Sequence, residues 1–423
     1  MTRHSADVLI VGGGPAGASS AFQLARRGVR VRILERARFP RAKACAECLS
    51  PQASRILSDM GVLSELETRG AQLRGMIVRA PNGVAARGDY AAEHGFRAFR
   101  DRGLALRREL LDDVLLRRAR DAGVSVDDRA RVTDVVRDEA GVARGVSVLR
   151  SNGAREELRA DMIVGADGLR SVVARRLGLA HTAIWPRRIS IVAHYRYVDG
   201  VTEYGEMHIE RDGFVGIADV GDGVTTVAAV FPARRAREIS GAADKTGFLE
   251  RWLASKPHLA WRFAHATRDG TTAAIGPFAS HARRASAPGA LLVGDAADFF
   301  DPFTGEGIYS ALRGGELVAH ATANILGATS RPAAAAAMDT YDRARRAEFG
   351  AKWWVERLIG IGVASPKISN RVARALAAKK DLADLLVGVT GDFVPARRVL
   401  ELHYLAQLFL LPIADSPIPT AWP

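Results

Sequence analysis

Asp7-Val-Leu-Ile-Val11 is a short, unbroken apolar run that opens directly onto Gly12-Gly13-Gly14, and Ala18 to Arg27 then continues as an Ala- and Leu-rich segment ending at Gly28. The pattern predicts strand, turn and helix. Val29-Arg-Val-Arg-Ile-Leu-Glu35 alternates apolar and polar residues and predicts a second strand ending on a carboxylate. Further along, Ala160 to Gly165 and Gly289 to Gly294 repeat the motif of a buried strand breaking into a Gly/Asp turn before a helix. Val132 to Val136 and Val142 to Leu149 read as a hairpin-rich insertion. From about Ile189 to Ala274 the period changes to two, in "ISIVAHYRYV", "YGEMHIERDGFVGIADV" and "GVTTVAAVF". That predicts an antiparallel sheet with turns at Arg211 to Gly213 and Gly221 to Gly223. From Met338 onward the pattern is helical, with "WWVERLIGIGV" and "LADLLVGV" as apolar faces.

These elements divide the 423 residues into a cofactor-type domain over 1–178, an inserted sheet domain over 179–285, a return to the first domain over 286–330 and a helical region over 331–423. The fold class is α/β, a Rossmann-like domain with an α+β insertion. Hydrophobic residues make up 48% of the chain, enough for a substantial core and too many for disorder. Two cysteines argue against a secreted disulfide framework, and Met1 to Ala6 carries no apolar leader, so a cytoplasmic protein is expected. The most apolar segment, Tyr404 to Ile413, is about half of what a bilayer span requires. It fits packing on the core or contact with a membrane surface.

Lysine and arginine outnumber acids 60 to 47, a net charge of +13. The arginines are scattered. The clusters at Ala25 to Gly28, Ala233 to Arg237 and Arg343 to Arg346 lack interleaved aromatics, so the charge reads as a solvated surface and no nucleic-acid partner is expected.

The first motif carries chemistry. Gly12, Gly14 and Gly17 have G-x-G-x-x-G spacing between a strand and a helix, and Glu35 lies about 20 residues on. Gly12 allows the tight turn, Gly14 lets backbone N–H groups approach a pyrophosphate, and Gly17 lets helix and strand close on each other. Glu35 is placed for a ribose diol. An acid at this position disfavours a 2′-phosphate and leaves FAD or NAD as the dinucleotide. No second glycine fingerprint follows a strand, because "GIGVAS" at Gly360 falls in a helical pattern and lacks the third glycine. A dedicated NAD(P)H domain is therefore not expected.

The glycine fingerprint, the Asp167-Gly168 turn and the Gly294-Asp295 turn, in that order, resemble the flavoprotein hydroxylase superfamily with its glutathione-reductase-type fold, which includes aromatic hydroxylases, flavin halogenases and geranylgeranyl reductases. The resemblance implies FAD as cofactor, bound by Gly12, Gly14, Pro15, Ala16, Gly17, Glu35, Arg36, Glu47, Arg108, Asp167, Gly294 and Asp295. It also implies that Pro302, Gly305, Gly307 and Ile308 face the flavin. Electrons would come from transiently docked NADH or NADPH, or from a separate reductase. The inserted sheet would floor a cavity for a hydrophobic aromatic, polyketide or isoprenoid substrate.

Four reactions are weighed on that basis. Oxygenation through a flavin C4a-hydroperoxide, with O₂ as co-substrate, is favoured by analogy with the fold rather than by a recognised catalytic group. Ene-reduction is supported by Lys43-Ala-Cys-Ala-Glu-Cys-Leu-Ser-Pro51, which resembles the loop of the geranylgeranyl reductase branch. That branch's aromatic-x-Trp-x-Phe-Pro motif is missing, since the matching stretch reads Asp212-Gly-Phe-Val-Gly-Ile-Ala-Asp-Val220. Halogenation lacks its Trp-x-Trp-x-Ile-Pro signature, and a flavin sensor would not need the sheet. The Cys45/Cys48 pair has no partner ligands for zinc and lies in an extended loop rather than at a helix start, so no metal and no thioredoxin-type dithiol are expected. By the resemblance Cys45 lies near the isoalloxazine and is the candidate for a catalytic role, together with Pro302 in the flavin-facing loop. His94, His194, His208, Tyr195 and Tyr197 are acid–base candidates; His194 and His208 read more simply as satisfied sheet residues.

Overall fold

The computed structural model describes residues 6–90, 95–182, 187–235, 238–239 and 245–410. His94, part of the Ala233 to Arg237 cluster and the end of the Tyr404 to Ile413 segment lie outside them. The first run forms strand Val8–Val11, all of it buried, followed by helix Pro15–Ala25 with Gly14 at its N-cap and a proline in its first turn. Strand Val31–Leu34 pairs parallel on one side of the first strand and Met162–Gly165 on the other. The complete sheet runs Ser286–Ala287, Ala290–Leu292, Met162–Gly165, Val8–Val11, Val31–Leu34, Ser125–Asp127 and is parallel except at its Ser286–Ala287 edge. Helices cover it, and its near-continuous Val/Ile/Leu strands are what a sheet buried on both faces requires. The crossover between Ala130 and Arg159 is a three-stranded antiparallel ribbon, as the hairpin pattern predicts.

The second sheet has strands Arg188–Arg196, Val224–Pro232, Gly213–Asp219 and Tyr204–Glu210 as successive antiparallel neighbours. Its period-two side chains split between two faces. One carries Ile191, Val215, Val227 and Phe231 against Trp252 and Leu253 of helix Lys245–Ala254. The other carries Ser190, Val192, Met207, Phe214, Gly216 and Val230 toward a cavity.

The sequence pattern did not anticipate how this sheet continues. Strand Tyr204–Glu210 pairs parallel with Gly75–Arg79, which pairs with Ala85–Asp89, so a segment from before the third parallel strand completes the inserted sheet. Both strands are short and mixed in polarity, too weak a pattern to read alone. The helical region also begins earlier than the apolar pattern suggests: helix Arg331–Val363 starts seven positions before Met338, with the Ser330 hydroxyl accepting from Ala333 N. The Ala333 to Ala337 run lies in its first, mostly exposed turns. Helix Leu402–Phe409 buries Tyr404 and Leu408 against the C-terminal helices while Leu402 remains 85% exposed. Among the described residues, no helix is long and apolar enough to cross a membrane.

Candidate cofactor and substrate site

Between the two sheets lies a cavity of about 570 Å³. One end is built by the glycine turn. Gly12 has φ +102°, and a Cβ there would stand 2.5 Å from Ala166 O; a Cβ on Gly17 would stand 1.9 Å from Gly12 O. Any side chain at either position would drive helix and strand apart. Gly17 is thus a packing residue and does not line the cavity, whereas Gly12, Gly14, Pro15 and Ala16 do. At Gly14 a Cβ would meet only Arg41 Nη2, at 3.6 Å, so the helix N-terminus opens onto free space. Its unpaired N–H groups form a site for an anion.

Glu35, 4% exposed, accepts from Gly13 N at 2.8 Å with Oε2 and from Ala37 N at 2.8 Å with Oε1. Each oxygen retains a lone pair for a ribose hydroxyl. Arg36 borders the same end. Asp167 caps helix Val172–Arg176 through Oδ2, 2.6 Å from Val172 N, while its buried Oδ1 has no hydrogen-bond partner; burial raises the carboxyl above its ordinary range. Gly294 and Asp295 line the middle. Burial also raises the Asp295 carboxyl, opposed by Lys43 and Arg108, and lowers the Lys43 ammonium. An orphaned acceptor, an open helix N-terminus and a half-buried acid under the influence of a lysine, all lining one cavity, fit a dinucleotide whose pyrophosphate and hydroxyls would complete them.

The loop from Lys43 to Ser50 runs along the cavity and is tied down at Glu47. Glu47 is 2% exposed and sits in the left-handed region at φ +66°, a conformation a non-glycine residue holds only when its surroundings enforce it. The enforcement is visible: Oε1 accepts from Arg108 N at 2.8 Å, and Oε2 stands 2.6 Å from His194 Nε2. Arg108 in turn makes a bidentate pair with buried Asp112, at 2.8 and 2.9 Å, with Arg41 Nη1 3.1 Å from the same carboxylate. Of the two adjacent arginines, Arg108 is therefore the buried, cavity-lining one. Arg107 forms exposed-side ion pairs with Glu109 and Asp269.

Cys45 and Cys48 are free thiols. Burial pushes the Cys45 thiol up, against the pull of Arg108, and pushes Cys48 up to about 12, so both are protonated at neutral pH. Cys45 Sγ accepts from Glu47 N at 3.3 Å.

At the far end, Asp301 Oδ1 accepts from Phe303 N at 3.0 Å and shapes the Pro302–Thr304 turn. Gly305 at φ +73° then delivers the chain to helix Gly307–Leu326. Pro302, Gly305, Gly307 and Ile308 all border the cavity, as do Phe278, Phe299, Phe300, Phe349 and Trp353. His208 lies elsewhere, on the opposite face of the inserted sheet, where it contacts Glu206 at 2.8 Å beside the Arg262–Glu206 ion pair. Tyr195 packs edge-on against Phe263 on that face, and Tyr197 is exposed. Sequence reasoning weighed His194 as an acid–base candidate but preferred a satisfied sheet residue, yet its position has the same parity as Ser190 and Val192, which point into the cavity. It passed over Glu306, Lys352 and Glu356, whose meeting depends on the C-terminal helix packing.

The comparisons agree with this geometry. Residues 5–352 match the FAD binding domain family. Conditioned medium factor receptor 1 of Dictyostelium discoideum is 30% identical over 74% of the chain, which spans 62% of that protein's length. Digeranylgeranylglycerophospholipid reductase of Methanoculleus marisnigri is 29% identical over 77% of the chain and 78% of that protein. Menaquinone reductase of Mycolicibacterium smegmatis is 29% identical over 74% of the chain and 75% of its own length. Among solved structures, a flavoprotein/dehydrogenase from Cytophaga hutchinsonii superposes with TM-score 0.81 at 20% identity, covering 94% of this chain and 96% of that one. A myxobacterial chondrochloren halogenase superposes with TM-score 0.78 at 23% identity, covering 98% and 99%. At these identities the structures speak for the fold alone. With the family spanning most of its length and the cavity shaped for the dinucleotide, the chain belongs to the FAD binding domain family and is an FAD-dependent oxidoreductase of the flavoprotein hydroxylase superfamily.

Proposed function

We propose that this flavoprotein reduces a carbon–carbon double bond in a hydrophobic, isoprenoid-type small molecule. The observation that carries the reading is the Lys43–Ser50 loop, whose Cys45 is held as a half-buried, protonated thiol on the cavity wall. A thiol is a poor neighbour for a peroxide and a compatible one for hydride transfer. The names of the methanogen and mycobacterial relatives, both reductases, support the same choice. Oxygenation, the reading that fold-level analogy favours, is the alternative.

Reduced FAD supplies the hydride when bound. The chain's own contribution is positional. Phe214, Phe278, Phe299, Phe300 and Trp353 exclude water and hold an apolar chain. The His194–Glu47–Arg108 series fixes the loop that carries Cys45. NADH or NADPH docking transiently, or a separate reductase, would recharge the cofactor.

The test is product analysis. FAD-loaded protein is reduced with dithionite under nitrogen and mixed with geranylgeraniol. The expected result is substrate-dependent flavin reoxidation with a product that has gained two hydrogens. A hydroxylated or epoxidised product formed only with O₂ would overturn the proposal in favour of a monooxygenase, and a halide-dependent product in favour of a halogenase. Cys45→Ala is expected to slow the reduction with FAD content unchanged; unaltered turnover would make Cys45 a packing thiol.

A further inference from the structure

Two carboxyl groups in the cavity have no role in the account above. Glu306, between Gly305 and Gly307, is 3% exposed, and Glu356 projects from helix Arg331–Val363; both line the cavity. Glu306 Oε2 is buried and has no hydrogen-bond partner among the described residues. The cation facing it, Lys352 Nζ, stands 3.7 Å away, is ion-paired with Asp392, and lies 4.5 Å from the Tyr309 ring centroid. Lys352 and Glu356 are one helical turn apart and share a face. Two cations, Lys352 and the adjacent Arg357 that acts on Glu356, therefore serve the three carboxyls Glu306, Glu356 and Asp392.

The surrounding charges do not correct that deficit. Asp298 is paired with Arg345, Arg357 lies over the Phe300 ring at 4.6 Å, and Tyr90 is a buried phenol. Burial raises the Glu306 carboxyl to about 7, against Lys352, and raises Glu356 well above its ordinary range, with Glu306 adding to it. Two neighbouring carboxyls of like charge, one buried and one half-buried, resist ionising together, so a doubly ionised pair takes a proton back.

We propose that Glu306 and Glu356 hold one proton between them on the cavity wall and deliver it to the substrate carbon that does not receive the hydride. The role rests on the reductase reading. The substrate π bond breaks and two C–H bonds form, one by hydride from the reduced flavin and one by the proton from the pair. The cofactor is left oxidised, the pair is left doubly ionised, and solvent returns the proton.

The experiment uses FAD-loaded wild type, Glu306→Gln and Glu356→Gln, with bound-flavin absorbance confirming loading. In the first arm, infrared difference spectra of wild type minus each variant are recorded across neutral pH. A protonated-carboxyl C=O band lost in both differences is expected; no such band in either overturns the proposal. The second arm follows anaerobic reduction of geranylgeraniol in D₂O. Each variant should lose on the order of 100-fold in rate, the low end of general-acid contributions, with flavin reduction by dithionite unchanged. Rates within about threefold of wild type in both variants overturn proton delivery. A wild type that reduces no alkene but shows the band rejects the reductase reading and the delivery step together, while the shared proton stands on the first arm.

Discussion

Glu35 illustrates how one side chain is held for a ligand while doing structural work. Both its oxygens satisfy buried backbone N–H groups, so Glu35→Ala leaves Gly13 N and Ala37 N without acceptors. A cost of about 1–3 kcal/mol for each unsatisfied donor predicts a lower melting temperature and loss of FAD on gel filtration. A variant that keeps stoichiometric flavin would remove Glu35 from the ribose site. At this scale the sequence was legible where geometry dictates residue type. Gly12 and Gly17 cannot be anything larger, and Glu35, just beyond its strand, supplies the acceptors for Gly13 N and Ala37 N. Glu306 was not legible as an acid with chemistry, because the lysine that faces its unpartnered oxygen comes from 46 residues further along the chain.

Among elements, the loop bearing Cys45 is secured by a strand and a helix acting together. Glu47 bridges His194 on strand Arg188–Arg196 and the first turn of helix Arg108–Asp121. Removing it leaves a strained φ with nothing enforcing it. Glu47→Ala is expected to destabilise the protein by about 2–4 kcal/mol in urea unfolding. A double-mutant cycle with His194→Ala should return a coupling energy of roughly 1 kcal/mol or more; additive effects would show that the 2.6 Å contact is not energetically coupled. Period two made the four inserted-sheet strands readable, and the Arg211–Gly213 and Gly221–Gly223 turns fall between them. Gly75–Arg79 and Ala85–Asp89 escaped because a parallel pairing to a strand about 130 residues later leaves no local signal.

Across the whole molecule, one half-buried and one buried group set opposite pH limits on stability. His258, stacked on His208 and facing Arg79, Arg262 and Lys256, is lowered to about 3, burial being the main cause. The unfolded chain binds that proton more readily, so stability falls as pH drops below about 6.5 toward 3. Glu306 works in the other direction. Its raised carboxyl favours the fold below about 4.3, and that contribution disappears as pH rises through about 7. The FAD-free protein should therefore lose stability on both sides of mildly acidic pH. In thermal melts, His258→Gln should flatten the acid limb and Glu306→Gln the alkaline one; an unchanged acid limb in His258→Gln would assign that loss to other groups.

The central sheet has a consequence for the order in which the protein can be made. Its innermost strands, Val8–Val11 and Met162–Gly165, take their next neighbour from Ala290–Leu292. During synthesis the entire inserted sheet leaves the ribosome before the cofactor sheet can close. Helix Gly307–Leu326, packed along helix Pro15–Ala25, emerges later still. The glycine turn made first thus waits for a late helix to finish its pocket, and FAD can lock the fold only when most of the chain is already present.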